Sequence, residues 1–112
     1  MSAITTHVLD TSRGAPAAGV AVELDRWQAD AWARAGAGVT DADGRCRTLL
    51  PAGEPAQAGR YRLRFDTGAY FTARGVAAFF PEVTITFEVR LAEHHHVPLL
   101  LSPFGYSTYR GS

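Results

Sequence analysis

Four histidines and a few arginines carry most of the chemistry open to this sequence. Three of the histidines are consecutive, His94, His95 and His96, and run into Val-Pro-Leu-Leu-Leu; the fourth, His7, lies in the segment ITTHVLD. An imidazole titrates at about 6.5 and can take or give a proton near neutral pH. His94 and His96 stand two residues apart and share one face of a strand. Such a pair can chelate zinc if a third donor is found, and His7 is the only other obvious nitrogen. It can equally supply an acid and a base to a hydrolysis. A single histidine on a strand is more often structural or simply solvated. Arg45 and Arg47 flank Cys46 just after the turn Asp-Ala-Asp-Gly and lie on one face. Charges there can guard an edge against strand pairing, or a guanidinium fork can meet paired oxygens of a ligand. Cys46 has arginines beside it, which favours a thiolate, but no histidine nearby in sequence, and it reads as a filler. Arg110, two positions before the last residue, is either frayed or held as a clamp. The β-prone Tyr-Ser-Thr-Tyr before it favours a docked tail.

The elements that must position these groups are strands. VTITFEV sets Val83, Ile85, Phe87 and Val89 on one face, and YRLRF sets Tyr61, Leu63 and Phe65 against Arg62 and Arg64. GVAVEL sets Val20, Val22 and Leu24 together. Each alternation is that of a half-buried strand. SRGAP, DADGR, PAGEPAQAG and LAEH are turn signals between them. Many short strands divided by Gly and Pro imply a sandwich or barrel. In the last strands His95, Val97, Leu99 and Leu101 form the core side; His94, His96, Pro98 and Leu100 face outward. Pro98 and Leu100 are poor solvent residues, so a partner is expected to cover them. In the first strand Ile4, Thr6 and Val8 oppose Thr5, His7 and Leu9, which places His7 outward as well. One stretch breaks the rhythm. Tyr70, Phe71, Arg74 and Val76 fall at helical spacing, with Thr67 as N-cap and Gly75 as stop, and predict one short α-helix around residues 68–75.

The 112 residues fit a single domain over 1–112, and 46% hydrophobic content is that of a globular chain. Acidic and basic residues balance at 11 each, so no basic excess is available for nucleic acid. One cysteine allows no internal disulfide and fits a reducing compartment. MSAITTHVLD has neither the basic nor the apolar region of a secretory signal, and no apolar run approaches a membrane span. A cytoplasmic protein without a membrane partner is expected.

HVLDTSRGAPAAGVAVEL, TDADGR, FFPEVTITF and HVPLLLSPFGYSTYRGS resemble the 5-hydroxyisourate hydrolases, the transthyretin-related family of purine catabolism. The resemblance spans nearly the whole chain. Its closing Tyr-Arg-Gly-Ser separates the hydrolases from transthyretin, the hormone carrier of the same fold. It implies an all-β, transthyretin-like sandwich of two four-stranded sheets, assembled as a homotetramer, a dimer of dimers whose channel holds the active sites. It implies a small-molecule substrate, 5-hydroxyisourate, hydrolysed at a cyclic amide to 2-oxo-4-hydroxy-4-carboxy-5-ureidoimidazoline, with no cofactor and no metal. The family's functional positions fall on His7, Arg45 and His96 as catalytic residues, and on Tyr109, Arg110, Gly111 and Ser112 as substrate-binding ones. His95 stands where many relatives carry Tyr, and its parity makes it structural. An arginine beside an imidazole would lower its pKa and keep it basic. Two other functions remain open on the residues alone: a carrier of a small aromatic ligand, and a zinc hydrolase using His7, His94 and His96.

Overall fold

Alternation of apolar and polar side chains builds most of the fold. The computed structural model describes residues 2–112. Strand β1 (Ile4–Asp10) pairs in parallel with β8 (His95–Ser102), and β8 pairs antiparallel with β9 (Gly105–Thr108). The other edge of β1 is shared by two short strands, β2 (Ala15–Pro16) and β5 (Arg45–Cys46). The second sheet is antiparallel, in the order β4 (Ala31–Val39), β3 (Ala21–Gln28), β6 (Gly59–Phe65), β7 (Val83–Val89). The inward residues of both sheets meet in one core, where Ile4, Val8, Leu24, Leu63, Phe65 and Leu99 are fully buried. Burying a side chain of this size contributes about 1.5–3 kcal/mol. These are the apolar faces that the alternation marks in β1, β3, β6, β7 and β8. The architecture is the expected two-sheet β-sandwich, except that the first sheet has five strands and not four, because β2 and β5 both pair along one edge of β1.

Strand β4 is absent from the sequence reading. It is an edge strand, exposed or half-buried along its whole length, so no face of it is consistently apolar. The turn into it is formed by Ala29 and Asp30, both with positive φ (53° and 59°), the backbone of a tight two-residue hairpin. Trp27 and Trp32 face each other across that hairpin, edge to face at 5.3 Å.

The helix α1 (Thr67–Ala73) begins one residue earlier than its expected span and ends two earlier. Its N-cap is Asp66, whose carboxylate accepts from the Ala69 amide at 3.2 Å. Thr67 lies inside the helix and is buried. Gly75, at φ +70°, turns the chain away just past the end. Tyr70 docks the helix on the first sheet by donating its hydroxyl to Asp10, at 2.8 Å. Desolvation pushes the buried Asp10 carboxyl up, but bonds from Ser12 and Tyr70 outweigh it and hold the group below its ordinary value. A carboxyl lowered on folding adds stability above its unfolded pKa and loses it as pH falls through the folded one. Tyr70→Phe is therefore expected to lose about 1.5–3 kcal/mol at neutral pH, the usual worth of a bond to a charged group. The deficit should shrink only in acid, as pH falls below the ordinary carboxyl value of about 4 and on through the lowered folded-state value, where Asp10 becomes neutral. Urea melts of both proteins across pH check this.

Candidate active site

Strand register brings the separated candidates together. The parallel β1–β8 ladder sets Thr5 opposite His96, and the β1–β5 ladder sets His7 opposite Arg45. A recess of about 180 Å³ opens on this outer face, lined by Thr5, Thr6, Arg45, Arg47, His94, His96 and Ser112. Arg45 is launched by the turn before it. The Asp41 carboxylate accepts from the amides of Asp43 and Arg45, at 2.9 and 3.0 Å. Those bonds, with the charges of Arg47 and Arg45, hold Asp41 below its ordinary pKa. Gly44 has φ +77°, and a Cβ there would strike the Val8 carbonyl, so only glycine closes the turn against β1.

His96 is half-buried and His94 exposed, with their rings stacked at 6.3 Å. The Thr5 hydroxyl stands between them, 2.8 Å from His96 Nδ1 and 2.9 Å from His94 Nε2. That leaves Nε2 as the ring nitrogen of His96 with no partner among the described residues. Burial lowers the His96 pKa most, followed by the nearby charges of Arg45, His94 and His7. The ring is thus held neutral, with a lone pair available at neutral pH. His95 points inward, 5% exposed, and its Nδ1 is 2.8 Å from the Glu93 carbonyl. A carbonyl only accepts, so that nitrogen carries the proton.

The tail lies against His96. The Gly111 amide donates to the His96 carbonyl at 2.8 Å, and a Cβ on Gly111 would come 2.6 Å from His96 Cδ2 and 3.3 Å from Pro98 Cγ. Only glycine lets the chain pass so close to the imidazole. Pro98 is buried by this arrangement, so the cover expected from a partner comes instead from the chain's own tail; Leu100 remains half-buried. Ser112 reaches the recess. Tyr109 and Arg110 line a separate hollow of about 240 Å³ between β7, β8 and β9, and Arg110 is paired with Glu93 at 2.7 Å.

His7 lies beside Arg45 but outside the lining of the smaller recess. Its Nε2 is 2.8 Å from the Asp43 carbonyl, which fixes that proton and leaves Nδ1 free. Among the described residues no three His, Cys, Asp or Glu side chains are grouped to hold an ion. A larger recess, about 540 Å³, opens by β3 and β6. Its Glu23 is paired with Arg64 and its Asp66 caps α1, so these groups are already engaged. Two residues of the smaller recess have no forewarning as functional groups, Thr5 and Thr6; Thr6 spends its hydroxyl on the Val97 carbonyl, and Thr5 is the one that meets the histidines. Its parity with His7 was visible; its place between two histidines depends on a pairing of strands about 90 residues apart.

The HIUase/Transthyretin family model matches residues 4–111. The chain belongs to the HIUase/Transthyretin family. Among relatives of this HIUase/Transthyretin member, the 5-hydroxyisourate hydrolase of Caulobacter vibrioides is 49% identical over 117 residues, covering 100% of both chains. The structure of Klebsiella pneumoniae 5-hydroxyisourate hydrolase superposes with a TM-score of 0.85 at 41% identity, covering 97% of this chain and 98% of that one. Sea bream transthyretin in complex with thyroxine superposes with a TM-score of 0.89 at 35% identity, covering 96% and 93%. The shared HIUase/Transthyretin backbone does not separate the two kinds of protein; identity leans towards the hydrolases.

Proposed function

We propose that this chain hydrolyses 5-hydroxyisourate at a cyclic amide of its six-membered ring, as a single domain, without metal or cofactor. The observation that carries the reading is the convergence of a neutral His96, Arg45 and Ser112 on one recess, with Gly111 laid on the imidazole. His96 Nε2 takes a proton from water as the hydroxide attacks the amide carbonyl. The Arg45 fork holds the substrate's carbonyl oxygens and stabilises the oxyanion that forms. The C–N bond then breaks, and the leaving nitrogen receives a proton. His7 shares the acid–base work through Nδ1. Arg110 and Tyr109 flank the tail that brings Ser112 to the substrate. The deciding experiment is direct: freshly made 5-hydroxyisourate should disappear faster with the purified protein, and an unchanged rate overturns the reading. A chelator should leave that rate intact.

The working form is a cytoplasmic homotetramer, a dimer of dimers. A recess of about 180 Å³ is small beside ordinary ligand sites, which supports a site completed by a second subunit. Phe79 and Tyr106, which both pack edge to face on Phe80, and Phe104, 73% exposed, present apolar side chains that a lone subunit would leave wet. Light scattering should find a tetramer, and a fully active monomer would refute this. Among the described residues no helix is long and apolar enough to cross a membrane.

Arg45→Lys keeps the charge and loses the fork. Its turnover is expected to drop by about 10²–10³-fold, the range of a lost oxyanion contact. Arg47→Lys, at an exposed side chain 3.9 Å from Asp41, should matter much less. Equal losses in steady-state assays would remove the special role of Arg45.

A further inference from the structure

Thr5 touches two imidazoles and has a single proton to give. Its hydroxyl oxygen is within hydrogen-bond distance of His96 Nδ1 and of His94 Nε2. A hydroxyl donates once and accepts through its lone pairs. When Thr5 donates to one ring, the nitrogen of the other must carry its own proton to be satisfied. The protonation of the two histidines is thus linked through one oxygen. From this geometry we infer that Thr5 is a positioning residue, which sets the tautomer of His96 and relays its second proton to His94. The inference rests on the reading of His96 as general base.

In the resting arrangement His96 Nδ1–H donates to Thr5, and the Thr5 hydroxyl donates to His94 Nε2. The lone pair of His96 then sits on Nε2, the nitrogen without a protein partner among the described residues. When Nε2 takes a proton from water, the ring becomes an imidazolium. Its Nδ1 proton passes to Thr5 while the hydroxyl's own proton passes to His94 Nε2. Both hydrogen bonds reverse, no atom is lost, and the positive charge moves from His96 to His94. His96 is left neutral with its proton on Nε2, the form that donates to the leaving nitrogen. As it donates, the relay runs backward in the same step: the added proton of His94 returns to Thr5 and the Thr5 proton to His96 Nδ1, so no imidazolate forms and the resting arrangement is restored. The surroundings set the direction. His96 is half-buried and faces Arg45 and Arg47 from the β5 side and His7 from β1, whereas His94 is exposed to water. A charge is held more cheaply at the exposed ring.

The test combines nitrogen-15 spectra of labelled histidine with turnover, on the wild type, Thr5→Val, Thr5→Ser and His94→Gln. The wild type should show His96 protonated on Nδ1 at alkaline pH, with Nε2 bare. Thr5→Val should move that proton to Nε2 and lower kcat by about 10–100-fold, with KM changed less than about twofold. Thr5→Ser should restore both the spectrum and the rate. His94→Gln, an exposed substitution that keeps a polar partner but cannot carry the proton, should lower kcat comparably. An unchanged tautomer and rate in Thr5→Val overturn the inference, as does an equal loss in Thr5→Ser, which would mean that packing and not the hydroxyl matters. If Thr5→Val does not fold, His94→Gln with wild-type kcat overturns it. The spectra need no substrate. A wild type that does not hydrolyse 5-hydroxyisourate defeats the proposed function, and a tautomer that ignores Thr5→Val defeats the inference.

Discussion

His96→Ala lowers kcat by about 10²–10⁴-fold, the contribution of a positioned acid or base, in a protein that still melts cooperatively. The ring is only half-buried, its Nδ1 is spent on Thr5, and Gly111 rests on it from outside. Its loss opens a shallow space under the tail and leaves the apolar core untouched. The pH profile gives a second readout. Burial first, and then Arg45, His94 and His7, hold the His96 pKa below its ordinary value. The basic form therefore persists to lower pH, and the acid limb of kcat/KM should lie below about 6.5. Arg45→Lys keeps a cation beside the ring, so it should lower the rate without moving that limb. His95→Tyr is the control. That ring points into the core and donates to the Glu93 carbonyl, so the exchange should alter the melting temperature and leave kcat nearly unchanged. Lost turnover in His95→Tyr together with normal turnover in His96→Ala would refute the assignment. Stopped assays on freshly generated substrate, paired with thermal melts, measure both quantities.

What was legible in the sequence follows from where burial imposes a period. β6, β7 and β8 each bury one face, so Tyr61, Leu63 and Phe65, or Val97, Leu99 and Leu101, announce themselves by alternation. β4 buries neither face along its length, and nothing in AWARAGAGV has to alternate. Its glycines answer to a distant segment. A Cβ on Gly36 would collide with the Leu49 carbonyl, and one on Gly38 would sit 2.6 Å from Cys46 Sγ. The helix start slipped by one residue because Asp66 and Thr67 are both good caps, and only the bond to Ala69 chooses between them. The outward direction of His7 and His96 was legible from parity, and their neighbourhood was not. It comes from the parallel β1–β8 ladder and the β1–β5 pairing, contacts between residues far apart in the chain. Pro98 shows the same limit: its alternation says outward, and the tail at Gly111 comes back to lie against its ring.

Removing residues 109–112 abolishes hydrolysis and costs little stability. β9 ends at Thr108, whose hydroxyl still donates to the Pro98 carbonyl at 2.7 Å, so the sheet edge survives the cut. Tyr109 is 56% exposed and buries little apolar area. The Arg110–Glu93 pair lies at the surface, and exposed pairs are worth little. The remaining tie of the tail is the bond from Gly111 to the His96 carbonyl. Nothing in this segment holds the core, and its last two residues, Gly111 and Ser112, lie at the imidazole and its recess. Without it the wall of the recess at Ser112 is gone, and the side of the ring that Gly111 covers is open to water. Water there raises the local dielectric and weakens the arginine's hold on the oxyanion. His96 also loses part of the burial that most lowers its pKa, so any residual activity should show its acid limb shifted upward, towards the ordinary value of about 6.5. A tail that merely frayed would leave both turnover and melting unchanged. A tail that only packed would lower the melting temperature and leave turnover per folded molecule normal. The hydrolytic reading requires lost turnover in a truncated protein that melts within a few degrees of the full chain, and differential scanning calorimetry with a turnover assay on the same sample distinguishes the three.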